Sequence, residues 1–186
     1  ALLEGNAATA EQSLAWYRRA AEQELPAAQS RLGWLLLQRN EDAEAVQWLT
    51  RAATRHDVQA QNNLGVLYET GRGVAKDPAK AAQWYRRAGE AGDAAAQNNL
   101  GALYRDGLGV ARDPAQAAEW FKRAADQGYA RAMLNLGALY EQQAKAGTRS
   151  GALPATPPVT SQPATAPTVV PLQTDGTPVA RPLPFR

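Results

Sequence analysis

The 186-residue sequence contains no cysteine, one methionine and a single histidine, His56. Without cysteine the chain has no disulfide framework, no thiolate nucleophile and no cysteine-ligated zinc or iron–sulfur site. A lone histidine argues against a histidine metal cluster and leaves one candidate base for a catalytic pair. No apolar run approaches the roughly 20 residues that a helix needs to span a bilayer. We therefore expect no catalytic residue, no metal, no cofactor and no membrane span.

Proline is also scarce over most of the chain, because nine of the twelve prolines lie between residues 147 and 186. This C-terminal part carries three arginines against one aspartate, so the formal net charge of +2 belongs to it and residues 1–146 are neutral. Neutrality argues against a nucleic-acid partner, since phosphate neutralisation supplies much of the affinity of such complexes. We predict a folded domain over residues 1–146 and an extended tail rich in proline and threonine over residues 147–186.

Four tryptophans divide the folded part into repeats. The spacings between them are 32, 36 and 36 residues, and the members are Trp16, Trp48, Trp84 and Trp120. A glycine column has the same three spacings and consists of Gly33, Gly65, Gly101 and Gly137. The four-residue difference lies between Gly33 and Trp48, where the later copies carry a Gly-x-Gly loop. The pattern indicates one shortened loop between conserved helical units.

Each repeat is predicted to contain two helices. The first helix has apolar residues at helical spacing, as in Ala60, Leu64 and Leu67, and the second shows the same stripe around Trp84. Asp-Pro pairs at Asp77 and Asp113 are typical helix starts, and Gly92 and Gly128 are expected to end second helices; Thr9 and Gln12 form a capping-box pattern ahead of Trp16. Strand-like alternation is absent, which predicts an all-α fold of about eight helices.

The repeat pattern resembles the Sel1-like repeat family, which is related to tetratricopeptide repeats. The resemblance rests on Ala-x3-Leu-Gly-x2-Tyr, Gly-x-Gly-Val-x2-Asp and Ala-x2-Trp-Tyr-x-Arg-Ala, which run from Ala60 to Ala91 and recur from Ala96. It implies a short right-handed α-solenoid that serves as an adaptor. Both ends are incomplete: residues 1–5 resemble the stub of a first helix, and the last copy lacks a second helix. Three apolar residues of that copy therefore lack the second helix that would cover them, and either the tail folds back over them or a partner covers them. They are Leu136, Leu139 and Tyr140.

Asparagine recurs in the middle of the first helices, although asparagine is a mediocre helix former. Two interpretations stay open: the amides bind an extended partner segment on the inner face of the solenoid, or they form hydrogen bonds between repeats that fix the register. Gln61 and Gln97 are expected to add polar surface beside them. The candidate partner-binding residues on this face are Arg31, Asn62, Asn63, Asn98, Asn99 and Asn135. In the tail, Leu183 and Phe185 are the candidate anchors to a partner.

Three other patterns are assigned structural roles. The Gly71-x-Gly73 loop follows no strand and has no P-loop lysine, so a helix cap and turn is favoured over a phosphate site. His56 is expected to be a solvated side chain near a helix end. An arginine follows each repeat tryptophan by three residues. A cation in the last turn of a helix interacts favourably with the helix dipole, and in three copies an acid three residues further on is expected to pair with the arginine. The alternative is that the arginines form an anion-binding stripe. This column consists of Arg19, Arg51, Arg87 and Arg123.

These features favour a non-catalytic scaffold for protein partners over an enzyme. The leading hypothesis is an accessory subunit of a larger extracytoplasmic, hetero-oligomeric complex, with a membrane-bound enzyme complex as one form. It docks through the repeats and wraps a partner with its tail. The alternative is a free-standing peptide-binding adaptor or regulator that uses the inner face. The lack of cysteine and the start at Ala1 without methionine favour export to the periplasm or beyond, with a cytoplasmic location as the alternative.

Overall fold

The computed structural model describes the backbone of residues 2–150 and the side chains of residues 9–146. The chain divides into two compact units, residues 1–153 and 154–186, and only the first is described here. The described residues form eight α-helices and contain no strand, which confirms the all-α prediction. The helices are α1 (Leu2–Glu22), α2 (Pro26–Gln38), α3 (Asp42–Thr54), α4 (Val58–Thr70), α5 (Pro78–Glu90), α6 (Ala94–Asp106), α7 (Pro114–Asp126) and α8 (Ala130–Ser150).

Consecutive helices pack as pairs that stack into a solenoid. The closest packing joins α2 to α3, α4 to α5 and α6 to α7, which are the predicted repeats. Each even-numbered helix also contacts the next even-numbered one, whereas contacts between successive odd-numbered helices are at most marginal in residues 2–150. The even-numbered first helices therefore lie closer together and form the inner side of the curve, as the resemblance implied.

Short polar residues and glycines define the helix boundaries. Asp57 and Asp93 accept backbone N–H groups at the start of α4 and α6, and Asp77 and Asp113 do so ahead of the prolines that open α5 and α7. Gly71 ends α4 in the left-handed region at φ +80°, which confirms the predicted cap. The Gly-x-Gly loop has a structural role, as expected from the sequence.

The loop glycines also allow close contact between repeats. A Cβ atom at Gly73 would lie 2.8 Å from the carbonyl oxygen of Asp42, and one at Gly109 would lie 2.2 Å from the carbonyl carbon of Pro78. The adjacent Arg72 pairs with the Asp42 carboxylate at 2.7 Å. Each loop therefore packs on the start of the second helix of the preceding repeat, and only glycine leaves enough room.

The core is a row of small clusters along the stack. One large residue of each second helix is fully buried against the glycine of its partner first helix, and these residues are Leu49, Tyr85 and Phe121. The phenol of Tyr85 donates a 2.6 Å hydrogen bond to Oε2 of Glu69. Burial, followed by this bond, raises the pKa of Tyr85 well above its usual range, so the phenol keeps its proton and the hydrogen bond persists.

The repeat arginines lie in the last turns of the second helices, as predicted, but their main contact is aromatic. Each guanidinium stacks over the tryptophan three residues earlier, with a distance of 4.6–4.8 Å from the guanidinium carbon to the ring centroid. The expected pairing with an acid three residues on is wrong in all three copies within residues 9–146. Neither Arg19 nor Arg87 forms an ion pair there. Arg123 pairs with Glu119, one turn earlier, while Asp126 pairs with Lys122 at 2.9 Å. An acid four residues before a cation is the favoured orientation for such a pair on a helix, and Glu119 has this place relative to Arg123.

Three predictions at the ends of the array are wrong. Helix α1 runs without a break from Leu2, so residues 2–5 are not a separate first helix and Thr9 lies inside a helix instead of capping one. The leucines and alanines of this stretch favour continued helix over a cap. At the other end Leu139 is buried against α7, because it lies on the face turned to the preceding repeat; Leu136 is half-buried and Tyr140 is 45% exposed.

Candidate partner-binding face

The inner face consists of the solvent-facing side of α2, α4, α6 and α8. Two columns define it, because residues three apart share a helix face. The first column is Arg31, Asn63, Asn99 and Asn135, and the second is Trp34, Val66, Ala102 and Ala138. The leucine and glycine between these columns point away from the inner face into the core of the repeat, for example Leu64 and Gly65, which are both buried. The sequence pattern thus determines which side chains lie on the inner face.

Asparagine amides form a hydrogen-bonded ladder across the later repeats. Asn99 Nδ2 donates to Asn62 Oδ1 over 3.5 Å, and Asn135 Nδ2 donates to Asn98 Oδ1 over 2.8 Å. Asn98 Nδ2 donates to Asn99 Oδ1 over 3.4 Å and links the two contacts, while Arg105 donates to Asn135 at 3.5 Å. These bonds join α4, α6 and α8, so four of the predicted amides have partners within the protein and Asn98 is only 3% exposed.

The glutamines of the same helices are not surface groups, and their predicted role is wrong. Gln61 and Gln97 are 3% and 5% exposed. Each donates from Nε2 to a backbone carbonyl at the end of the preceding second helix, Ala53 at 3.2 Å and Gly89 at 2.8 Å. Gln29 makes the same contact with Ala21. Each of these carbonyls also accepts the backbone N–H of the residue three positions later, so the glutamine adds a second hydrogen bond to it. This bond ties the end of one repeat to the next first helix and buries the glutamine in the joint between them.

The ladder ends at α2 because Ser30 and Arg31 occupy the positions that asparagines hold in later repeats. Asn63 has no hydrogen bond within the described part of the chain, whereas the equivalent Asn99 and Asn135 both donate to a neighbouring repeat. Asn63 is half-buried and lines a cleft of about 340 Å³ between α2 and α4. The other lining residues are Ala27, Ser30, Arg31, Trp34, Asp57 and Gln59.

Arg31 places a positive charge in this cleft. Its guanidinium stacks over the Trp34 ring at 4.5 Å and lies 5.9 Å from the Tyr17 ring. Among residues 9–146 no carboxylate pairs with it, whereas six of the other twelve arginines in this range form ion pairs. The carboxylate of Asp57, which also lines the cleft, accepts the backbone N–H of Ala60. The cleft therefore offers an oriented cation, an unpaired amide and an indole that is 39% exposed.

The structure thus divides the predicted set. Arg31 and Asn63 lie together in one cleft, whereas Asn62, Asn98, Asn99 and Asn135 belong to the ladder. Leu183 and Phe185 lie outside the described residues. Sequence reasoning missed Trp34, although its place three residues after Arg31 on an outward helix face was a usable signal.

Two further features of the described chain bear on its chemistry. Residues 9–146 contain no group of three or more acidic or histidine side chains arranged to hold a metal ion. In the same part of the chain, every helix is too short or too polar to cross a bilayer. His56 is exposed at a helix end, as expected.

Comparison with solved structures places the chain among known helical-repeat proteins. A protective antigen, c5321 of uropathogenic Escherichia coli, which displays an SLR fold, is 36% identical with a TM-score of 0.67 over 70% of this chain and 29% of that chain. A Sel1 repeat protein from Oxalobacter formigenes is also 36% identical, with a TM-score of 0.60 over 65% of this chain and 51% of its own. The chain therefore spans about a third and about half of the length of these two proteins.

Helicobacter pylori cysteine rich protein B is 27% identical, with a TM-score of 0.54 over 67% of this chain and 92% of that chain. No curated protein matches the sequence. The sequence profile of the Sel1 repeat matches five consecutive segments, residues 10–25, 26–57, 58–93, 94–129 and 130–149. Together with the stacked helix pairs, these matches show that the chain belongs to the Sel1 repeat family, whose members generally serve as scaffolds for protein–protein interactions.

Proposed function

We propose that this protein is a non-catalytic scaffold that binds an extended segment of a partner protein in the cleft between α2 and α4. The observation that carries the proposal is the contrast within one repeat column. Asn99 and Asn135 each donate a side-chain hydrogen bond to a neighbouring repeat, whereas the Asn63 side chain forms none within the described residues. A half-buried amide that has no internal partner is available to a ligand.

The residues around Asn63 define the chemistry of the segment. The amide presents one donor side and one acceptor to a peptide backbone. The exposed part of the Trp34 indole offers apolar area for an aliphatic or aromatic side chain. Stacking on Trp34 holds the Arg31 guanidinium in place, so that it attracts a carboxylate without losing much side-chain entropy. We infer a segment with an acidic residue close to an apolar one.

The proposal also covers the complex that the protein belongs to, the role of its tail and its location. The protein acts as an accessory subunit of an exported hetero-oligomeric complex, such as a membrane-bound enzyme complex, and its proline-rich tail wraps a partner with Leu183 and Phe185 as anchors. The composition of residues 147–186 supports the wrapping role, because such sequences gain order by lying on another surface. The absence of cysteine and the protective-antigen description of the Escherichia coli relative support export. A soluble peptide-binding adaptor is the second candidate, and the Asn63 cleft would serve it equally.

The test compares two variants of the same column. Asn63→Ala removes no internal hydrogen bond, so we expect unchanged thermal stability and at least a fivefold loss of partner chains captured from native extract by the tagged full-length protein. Asn99→Ala breaks the bond to Asn62, so we expect a loss of about 1 kcal/mol in the free energy of unfolding and undiminished capture. Captured chains are quantified by mass spectrometry and stability by urea titration.

Arg31→Gln provides a second variant, which keeps a polar side chain and removes the cation. It should lower capture to a similar extent as Asn63→Ala. Equal effects of Asn63→Ala and Asn99→Ala on both readouts would show that the whole column is structural and would refute the cleft as a binding site. Stoichiometric co-purification distinguishes a permanent subunit from a reversible adaptor.

A further inference from the structure

The fourth glycine of the repeat column faces an empty notch. In the first three repeats, a Cβ atom on the column glycine would lie 2.6 Å from the Leu49 side chain, 2.4 Å from the Tyr85 ring or 2.8 Å from the Phe121 ring. These three residues are the large buried side chains of the second helices. At Gly137 no atom of the described residues lies within 4 Å of such a Cβ, apart from the adjoining backbone of α8 itself. In the described part of the chain, helix α8 therefore presents the groove of a first helix with no second helix packed into it.

The groove on α8 is bordered by exposed apolar side chains. Met133 is 49% exposed and Tyr140 is 45% exposed, and they flank Gly137 at helical spacing on the same side of α8. Met133 occupies the position that Gln97 holds in the preceding repeat. Gln97 accepts a 2.8 Å hydrogen bond from Gln127, just past the end of the second helix of its own repeat. In the internal repeats, the second helix of the repeat thus occupies this groove.

Helix α1 has the sequence of the missing second helix. Counted back from α7, its Trp16 and Tyr17 occupy the positions of Trp120 and Phe121, with a small residue, Ser13, in place of Ala117. Trp16 is 66% exposed, whereas Trp120, which packs on the preceding repeat, is 5% exposed. Tyr17 is only half-buried, although the three equivalent side chains are fully buried. Among the described residues, nothing covers the face of α1 that corresponds to this contact.

The lengths of the two terminal helices also match. The six internal helices each have 13 residues, while α1 and α8 each have 21. By repeat alignment the additional eight residues are 2–9 in α1 and 143–150 in α8. In an antiparallel helix pair, the C-terminal end of the first helix lies beside the N-terminal end of the second. The two extensions would therefore lie next to each other and lengthen the contact by about two turns.

We propose that α1 of one copy docks on α8 of a second copy, with Tyr17 in the notch at Gly137. The contact continues the helix packing that the chain repeats three times internally, so the stack of repeats extends from one molecule into the next. The two faces differ, which makes the interface heterologous and the assembly a ring or an open filament. Its occupant is a second copy because α1 carries both the aromatic pair and the matching extension.

Cross-linking tests the orientation directly, because the chain has no cysteine of its own. By repeat alignment, the Gln97–Gln127 contact corresponds to Met133 of one copy and Gln23 of the next. We expect a mixture of Met133→Cys and Gln23→Cys chains to give covalent heterodimers with a short bifunctional maleimide, while neither variant alone gives dimers. Dimers from Met133→Cys alone would reveal an α8–α8 contact and would overturn the proposal.

A second measurement uses sedimentation velocity over a concentration series. The 19.9 kDa chain should associate with increasing concentration, and Gly137→Phe should weaken association at least tenfold by filling the notch. Open space at Gly137 lets this variant fold, which circular dichroism verifies. The matched control is Ala138→Phe, on the inner face of α8, which should leave association unchanged. A monomer at all concentrations, or equal effects of the two variants, would refute the contact.

Discussion

The residue two positions after the end of each second helix has a left-handed backbone conformation. Gly92 and Gly128 adopt φ of +96° and +85° there, and the equivalent Glu24 and His56 adopt +62° and +65°. Left-handed backbone costs a residue with a Cβ about 1–2 kcal/mol, and glycine avoids this cost. The four helix ends have the same backbone conformation, so Glu24 and His56 adopt a left-handed conformation that favours glycine.

We expect His56→Gly to stabilise the protein. Relief of the left-handed strain outweighs the extra chain entropy of glycine, for a net gain of about 0.5–1 kcal/mol in the free energy of unfolding. Urea titration measures the change. The converse control is Gly92→Ala, which should cost about 1 kcal/mol through the backbone alone, because no atom lies within 4 Å of the added Cβ. A neutral or destabilising His56→Gly would assign the histidine side chain a stabilising role.

At the scale of helices, the column glycines set how closely the two helices of a repeat approach. Fully buried Tyr85 and Phe121 rings occupy the space that a side chain at Gly65 or Gly101 would need. Rings that are packed on every side cannot move aside, so the penalty of an added methyl group is not relieved by a change of rotamer.

The same substitution should therefore have opposite effects at two positions of one column. Gly65→Ala places a methyl group 2.4 Å from the Tyr85 ring, and we expect a loss of about 3 kcal/mol in the free energy of unfolding. Gly137→Ala meets no neighbour within 4 Å and gains about 1 kcal/mol from the higher helix propensity of alanine. Thermal and urea denaturation at low protein concentration measure both. Similar losses at both sites would mean that the α8 groove is already filled.

At the scale of the whole repeat domain, stability is distributed along the stack. The hydrophobic clusters follow one another: one joins α1 to α3, the next two cover α3 to α7, and the last joins α7 to α8. Each helix pair thus depends mainly on its neighbours, and a terminal helix has a neighbour on one side only.

We expect hydrogen exchange to reveal this gradient. Backbone amides of α4, α5 and α6 should exchange at least about tenfold more slowly than those of α1 and of residues 143–150, because opening the centre requires breaking contacts on both sides. Mass spectrometry of pepsin fragments at low protein concentration measures the rates. Uniform protection across all eight helices would instead show that the array opens as one cooperative unit.

Much of the fold could be predicted from the sequence, because each helix start, loop glycine and apolar stripe recurs in several copies of the repeat. Asp77 and Pro78 start a helix wherever the pair occurs, and the spacing from Trp84 to the following glycine is constant. The prediction was wrong where the repeat is interrupted. Thr9 fits a capping pattern, but the residues before it continue the helix, and Leu139 turns toward α7 and is buried.

The candidate site was less accessible to sequence reasoning. The sequence alone identified the asparagine column and Arg31 but could not separate Asn63 from Asn99, because the difference depends on a partner one repeat away. Ser30 ends the ladder at α2, and that effect is visible only when the helices are placed side by side. The tail boundary and its anchors, Leu183 and Phe185, stay predictions.

The sequence by itself determined the eight helices, their pairing and the face that each presents, since these follow from periodicity, caps and glycine, which act within a few residues. Only the tertiary structure decided which polar groups are used internally and where the Gly137 notch is left open. Hydrogen bonds between repeats join residues 30 to 37 positions apart, and their distances depend on the stacking of whole helices.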